Sequence, residues 1–473
     1  MALAAALLIT GLTAGSAAAD PTTTTCGGAS GQTTTGTLGD GATYEIQCPA
    51  GTWNGTLFLF SHGYVINDTP NLATDASDAP TATWLLGHGY ALAGSSYATT
   101  GWAVASALSD QIATLNVFDA TYGKPSHTIA WGQSLGGMIT AGLIQDDPGR
   151  FSAALPMCGV LSGGVATWNT ALDAEFAFQQ LIDPTVQVVD IPTSPASAPA
   201  SNLANAEAAA AAAQKTPQGQ ARLALVAALG DTPGWFAPGT PEPAATDYAD
   251  QEANQFDWAS QVTFPFVFDF RADLETKAGG NPSWNTGVNY FADLAKSADL
   301  KEVVALYKAA GLSLTKDLQT LNSAPRISAK PSAVAYLTRN IAYNGEISVP
   351  VLTMHTTGDG LVVPENEQAY RSVVDRDGNG NLLRQLFVAR AGHCTFTPAE
   401  EITGISVLLN RLATGQWGAL DPGTLNTAAA ALNGTGDNPL PPAFTSFTPD
   451  QYLRPFALLP LPFFGVGTGR PVP

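Results

Sequence analysis

Trp131-Gly132-Gln133-Ser134-Leu135-Gly136-Gly137 is the stretch on which the reading of this chain turns. It matches Gly-x-Ser-x-Gly, and its neighbours supply the context. His127-Thr128-Ile129-Ala130-Trp131 reads as a strand, and about Leu135 to Gln145 reads as a helix. A chain that passes so abruptly from strand to helix leaves no room for side chains at 132 and 136, where both residues are glycine. The serine between them is forced into a strained conformation that exposes its Oγ above the sheet. The helix that follows aims backbone N–H groups at the same point.

Upstream, Thr56-Leu57-Phe58-Leu59-Phe60 is a short continuous apolar run, the mark of a strand buried on both faces, and it ends at Ser61-His62-Gly63-Tyr64. Trp84-Leu85-Leu86 suits a helix, and Tyr90 to Tyr97 a second buried strand. Residues 103–122 carry helical spacing through Val104, Leu108, Ile112, Leu115 and Phe118. Ser152 to Met157 is a further strand. This alternation predicts an α/β fold with a mostly parallel sheet flanked by helices.

The pattern breaks at residues 162–346, where helical stretches dominate. Among them Ala206–Ala213 and Leu223–Leu229 read as helices of high intrinsic propensity with no function implied. Alternation resumes with a strand Val349–His355, a helix Glu365–Val374, a strand Leu382–Val388 and a helix Pro398–Leu412. The expected organisation is a core in two parts, 20–161 and 347–435, interrupted by a large helical cap over the carboxyl edge of the sheet. A Pro-rich tail, 436–473, is expected to wrap the surface.

Composition narrows the function. The chain has 473 residues, 45% hydrophobic and only 12% charged, enough apolar material for a sizeable core. Its 20 Lys+Arg against 39 Asp+Glu give a net charge of −19, which argues against nucleic acid as a partner. Met1 to Ala19 reads as a secretory signal peptide, with an apolar run and Ala17-Ala18-Ala19 before Asp20, although no Lys or Arg precedes the run. The apolar run is too short for a stable membrane anchor. The predicted location is therefore extracellular. Four cysteines, Cys26, Cys48, Cys158 and Cys394, suit an oxidising compartment and allow three pairings, with free buried thiols as the alternative. Cys26–Cys48 would close an N-terminal hairpin. None of the spacings suits zinc, so no metal is expected.

A serine hydroxyl needs a base, and the base an orienting acid. The chain has five histidines. His62 follows the first buried strand where the backbone bends, His88 lies in a helix–turn segment, and His127 opens a strand at the edge away from Ser134. His355 sits within a strand and reads as core. His393, in Arg390-Ala391-Gly392-His393-Cys394, follows the last predicted strand with a glycine for loop freedom, which is where a base belongs. The acid should lie between Ser134 and His393 after a strand. Asp359, in Thr356-Thr357-Gly358-Asp359-Gly360, meets that condition, with Asp375 and Asp377 as runners-up in a separate turn.

On these residues the chain resembles an α/β-hydrolase-fold serine hydrolase, over roughly residues 52–160 and 347–415. The order Ser134, Asp359, His393 is that family's order. The resemblance implies a catalytic triad of those residues and an oxyanion hole made by the backbone N–H groups of Leu135 and Tyr64. It also places Cys158 and Cys394 at the carboxyl edge, where a disulfide between them would pin the His393 loop. The implied activity is cleavage of a small or polymeric carboxylic ester through an acyl-enzyme, with no cofactor. Trp102 and Trp284 are candidates for the substrate pocket, although aromatics in the insertion more often form a cap's own core. A prolyl-peptidase-like enzyme, with Asp273 and Glu275 recognising an amino terminus, and an acyltransferase are the alternatives. For Asp273 and Glu275 a solvated helical face is the simpler reading. A non-enzymatic binding protein is disfavoured because all three triad positions are filled.

Overall fold

The computed structural model describes residues 25–191, 199–432 and 440–456. The expected signal peptide at 1–19 and the end of the tail lie outside the described residues. Two short strands, β1 (Gly27–Gly28) and β4 (Gly51–Thr52), pair beside the Cys26–Cys48 disulfide. A nine-stranded sheet carries the rest. At one edge β2 (Gln32–Thr37) and β3 (Thr43–Cys48) form an antiparallel hairpin. β5 (Thr56–Ser61), β6 (Ala91–Ser95), β7 (His127–Gln133), β8 (Ala153–Met157), β9 (Val351–Gly358) and β10 (Leu383–Ala391) are mutually parallel. Their order across the sheet is β10-β9-β8-β7-β5-β6, then the hairpin. This is the α/β-hydrolase fold.

The continuous apolar runs are explained by two covered faces. Leu57 and Leu59 point to one side of β5 and Phe58 and Phe60 to the other. The first side packs on α2 (Val104–Tyr122), α3 (Leu135–Asp146) and α13 (Glu365–Arg376). The second packs on α1 (Ala79–Gly87), α14 (Pro398–Thr414) and α15 (Pro422–Leu432). The N-terminal hairpin expected beside Cys26–Cys48 is β2–β3, although no apolar run marks its two strands, because an edge hairpin exposed on one face needs none.

Between β8 and β9 the chain is helical: α4 (Gly164–Leu181), α5 (Pro199–Ala213), α6 (Pro217–Leu229), α7 (Tyr248–Trp258), α8 (Arg271–Ala278), α9 (Tyr290–Leu294), α10 (Leu300–Ala309), α11 (Leu314–Ser323) and α12 (Pro331–Asn340). This segment buries its own apolar cluster, including Phe176, Phe178, Leu225, Phe268 and Leu321. The alanines of α5 and α6 allow close packing there. Between α7 and α8 the helix widens into two π-turns, Ala259–Thr263 and Phe266–Phe270, flanking Pro265, whose missing N–H breaks the regular ladder.

The described part of the tail does more than lie on the surface. β11 (Phe444–Thr445) covers the open edge of β10, and Tyr452 is buried against Val363 and Ala369. An edge strand with unpaired backbone groups attracts such a cover.

Candidate active site

The turn from β7 to α3 consists of Ser134 alone. Its backbone is left-handed (φ 59°), and its N–H donates to the Met157 carbonyl at 3.0 Å. For a side-chain-bearing residue such a conformation costs on the order of 1–3 kcal/mol. The surrounding packing imposes it. A Cβ placed on Gly132 or Gly136 would lie 2.4 or 1.9 Å from the Ser61 carbonyl oxygen, so β5 passes directly against the turn. Gly136→Ala is therefore expected to lose at least about 1–3 kcal/mol of stability, measured as a lower urea midpoint. An unchanged midpoint would show that the turn has slack.

The carboxyl ends of β9 and β10 bring two further side chains to the serine. His393 Nε2 lies 2.8 Å from Ser134 Oγ, and His393 Nδ1 lies 2.7 Å from Asp359 Oδ2. The other oxygen of Asp359 accepts the N–H groups of Leu361 and Val362, both at 3.0 Å. A carboxylate beside Nδ1 places the imidazole proton there and leaves Nε2 free to accept from the hydroxyl. Asp359 is fully buried, whereas the His393 ring is 19% exposed, open to whatever reaches Ser134.

Several contacts hold the His393 loop. Arg390 donates to the Thr395 carbonyl at 2.7 Å and to both oxygens of Glu400 at 2.6 and 3.0 Å. Cys158 and Cys394 are joined, which ties the residue after His393 to the end of β8. Replacing both with alanine is expected to cost about 2–5 kcal/mol in stability. It should also lower kcat about 10- to 100-fold, because small displacements of the imidazole spoil its reach to the hydroxyl. Thermal melting and steady-state kinetics check this, and an unaltered kcat would separate the disulfide from the site.

The loop after β5 packs on the serine as well: a Cβ on Gly63 would lie 3.3 Å from Ser134 Cβ. His62 is not brought to the triad. It stacks on Tyr97 at 3.9 Å, and burial lowers its pKa. His88 and His127 stay at the far ends of their elements, as do Asp375 and Asp377 at the end of α13.

Ser134 opens onto a cavity of about 160 Å³ beneath the helical segment, whose walls include Trp102, Trp168, Phe178, Phe268 and Tyr452. Trp102 stands where a pocket residue was expected. Trp284 does not: its backbone N–H bonds to Asn169 and its ring meets Phe456, away from the cavity. The sequence around it turned its hydrogen-bonding groups toward α4 and the tail. The solvated face expected for Asp273 and Glu275 is also corrected. Asp273 accepts the Trp102 N–H at 2.8 Å and pairs with Lys277, while Glu275 is buried with Arg271 and the Ile191 N–H. Trp168, Tyr452 and the π-turn phenylalanines were missed. No local pattern marks them, because helix packing and a tail contact place them at the cavity. One wall residue, Glu175, is a carboxyl pushed up to about 8 by burial, against the opposing pull of Arg271.

Residues 33–377 match the model of the tannase-like family of unknown function (DUF6351). The chain belongs to this family. This family member is also 30% identical over 427 residues to an o-phthalyl amidase of Xanthobacter agilis, covering 84% of this chain and 91% of the amidase. Among solved structures it is similar to the rice cell wall degrading esterase LipA of Xanthomonas oryzae, at 15% identity and TM-score 0.36, covering 81% of this chain and 89% of that one. It is similar too to a proline iminopeptidase of Mycobacterium smegmatis, at 13% identity and TM-score 0.36, covering 85% and 99%. Matches of that strength carry no weight in reading the site. Family, curated relative and fold make this tannase-like chain a hydrolase of the α/β fold.

Proposed function

We propose that this hydrolase cleaves carboxylic esters through an acyl-enzyme, with Ser134 as nucleophile, His393 as general base and Asp359 as its orienting acid. The observation that carries the reading is the hydrogen-bonded chain of 2.8 Å from Ser134 to His393 and 2.7 Å from His393 to Asp359. As Oγ bonds to the substrate carbonyl carbon, its proton passes to His393 Nε2, and the buried Asp359 stabilises the imidazolium. The negative oxygen that develops is received by the backbone N–H groups of Leu135 and Tyr64. Leu135 opens α3, where a first-turn N–H has no partner within the helix. The imidazolium then protonates the departing alcohol. Water repeats the sequence and releases the acid.

The aromatic and aliphatic walls favour a hydrophobic or aromatic acyl group, with Trp102 in contact with it. Export and an extracellular location belong to the same proposal. Two disulfides within the chain are the kind of bond such a compartment preserves.

A second reading, amide hydrolysis, is favoured by the amidase relative. Both are tested together. A fluorophosphonate probe is expected to label Ser134, located by peptide mapping, and paired esters and amides of one aromatic acid are compared by kcat/KM. Folded protein left unlabelled at Ser134 would end the serine mechanism. An amide turned over faster than its matched ester would replace the ester reading with the second.

A further inference from the structure

Behind Asp359 lies another imidazole that the proposed reaction does not use. His355, four residues earlier on β9, is fully buried. Its Nε2 lies 2.7 Å from the Val362 carbonyl oxygen and 3.7 Å from Asp359 Oδ2. Its Nδ1 lies 3.2 Å from Glu367 Oε1 on α13. A peptide carbonyl only accepts hydrogen bonds, so Nε2 must carry a proton. Oε2 of Glu367 in turn accepts from the Thr353 hydroxyl and the Gln385 amide, each at 2.5 Å. With two donors already on Oε2, Oε1 is the oxygen left to accept from the ring, which calls for a proton on Nδ1 too. Both ring nitrogens then donate, and the ring is cationic.

We propose that His355 is a positioning residue, an imidazolium held by Glu367 that clamps the turn presenting Asp359 to His393. The inference rests on the triad reading above. The clamp is a closed circuit. His355 holds the Val362 carbonyl, while the N–H of the same Val362 holds Asp359 Oδ1 at 3.0 Å. The charged groups facing the ring are Glu367 from α13 and Asp359 from the turn, with His393 beyond Asp359. Burial by itself lowers the pKa of His355, but the Glu367 hydrogen bond and the two carboxylate charges outweigh it and the net shift is upward. A cation behind the acid weakens the pull of Asp359 on a positive charge at His393.

The first test uses the unaltered full chain, labelled with ¹⁵N at its five histidines. The His355 signals, assigned by through-space contacts to Val362 and Thr353 protons, are expected to show protons on both ring nitrogens at pH 7. A single ring proton would overturn the proposal. The second test is the pH profile of kcat/KM on a p-nitrophenyl ester. His355→Gln removes a positive charge near the base, so the base protonates more readily. The acidic limb should move to higher pH by about one unit, with kcat at pH 7 lowered and KM little changed. His355→Gln/Glu367→Gln removes both charges and should bring the limb part of the way back. Lower kcat with the limb unmoved in both variants would reduce His355 to a packing role and end the idea. Fluorophosphonate labelling of Ser134 in the unaltered protein distinguishes the failures. If Ser134 is unlabelled, the triad reading falls; if it is labelled while His355 is neutral, only this inference falls.

Discussion

Replacing Ser134 with alanine is expected to abolish ester turnover, lowering kcat by about 10⁴-fold or more while the protein remains folded. Alanine keeps the turn's backbone and adds no bulk beside Gly132 and Gly136, so β7, α3 and the cavity should persist. What disappears is the hydroxyl 2.8 Å from His393 Nε2. Any residual rate would come from water activated by His393 and from the oxyanion donors. An unreactive substrate analogue should bind as before, and the melting temperature should hold. A variant that turned over p-nitrophenyl esters at the full rate would remove Ser134 from the chemistry.

Asp359→Asn is expected to lower kcat by about 10⁴-fold with little change in KM, through a different route. Asparagine is nearly the same shape, and its oxygen can still accept the Leu361 and Val362 N–H groups. Its amide nitrogen would then face His393 Nδ1, where an acceptor stood at 2.7 Å. A donor there forces the imidazole proton onto Nε2, the nitrogen that takes the serine's proton in the proposed reaction. The geometry survives and the tautomer is wrong. Combining Asp359→Asn with Ser134→Ala should be no worse than Ser134→Ala alone if the three groups act as the proposed unit. Additive losses, or an Asp359→Asn variant with unreduced kcat, would assign the orienting role elsewhere.

The strand–helix alternation was legible because each buried parallel strand must be apolar on both faces, as Leu57 to Phe60 are. Gly132, Ser134 and Gly136 were legible because a turn that tight admits only small neighbours. His393 and Asp359 could be reached by elimination, since histidine is scarce and each follows a strand. The pocket was not legible. Trp102 and Trp284 look alike in sequence, and the structure brings one to the cavity and not the other. Tyr452 lies 318 positions after Ser134 in a tail expected to wrap the surface, yet it forms part of the same wall.

His355 marks the boundary most clearly. Read along the chain it was a core residue, and it is indeed buried. Only in three dimensions does its ring prove to face two carboxylates and a carbonyl. Periodicity and turn chemistry are local properties, so the chain by itself determined the sheet, the strained serine and the order in which Ser134, Asp359 and His393 follow their strands. Which side chains face one another across elements depends on long-range packing, on how helices from the insertion and a returning tail settle over the sheet. That decided the cavity, its aromatic lining and the charged surroundings of Asp359.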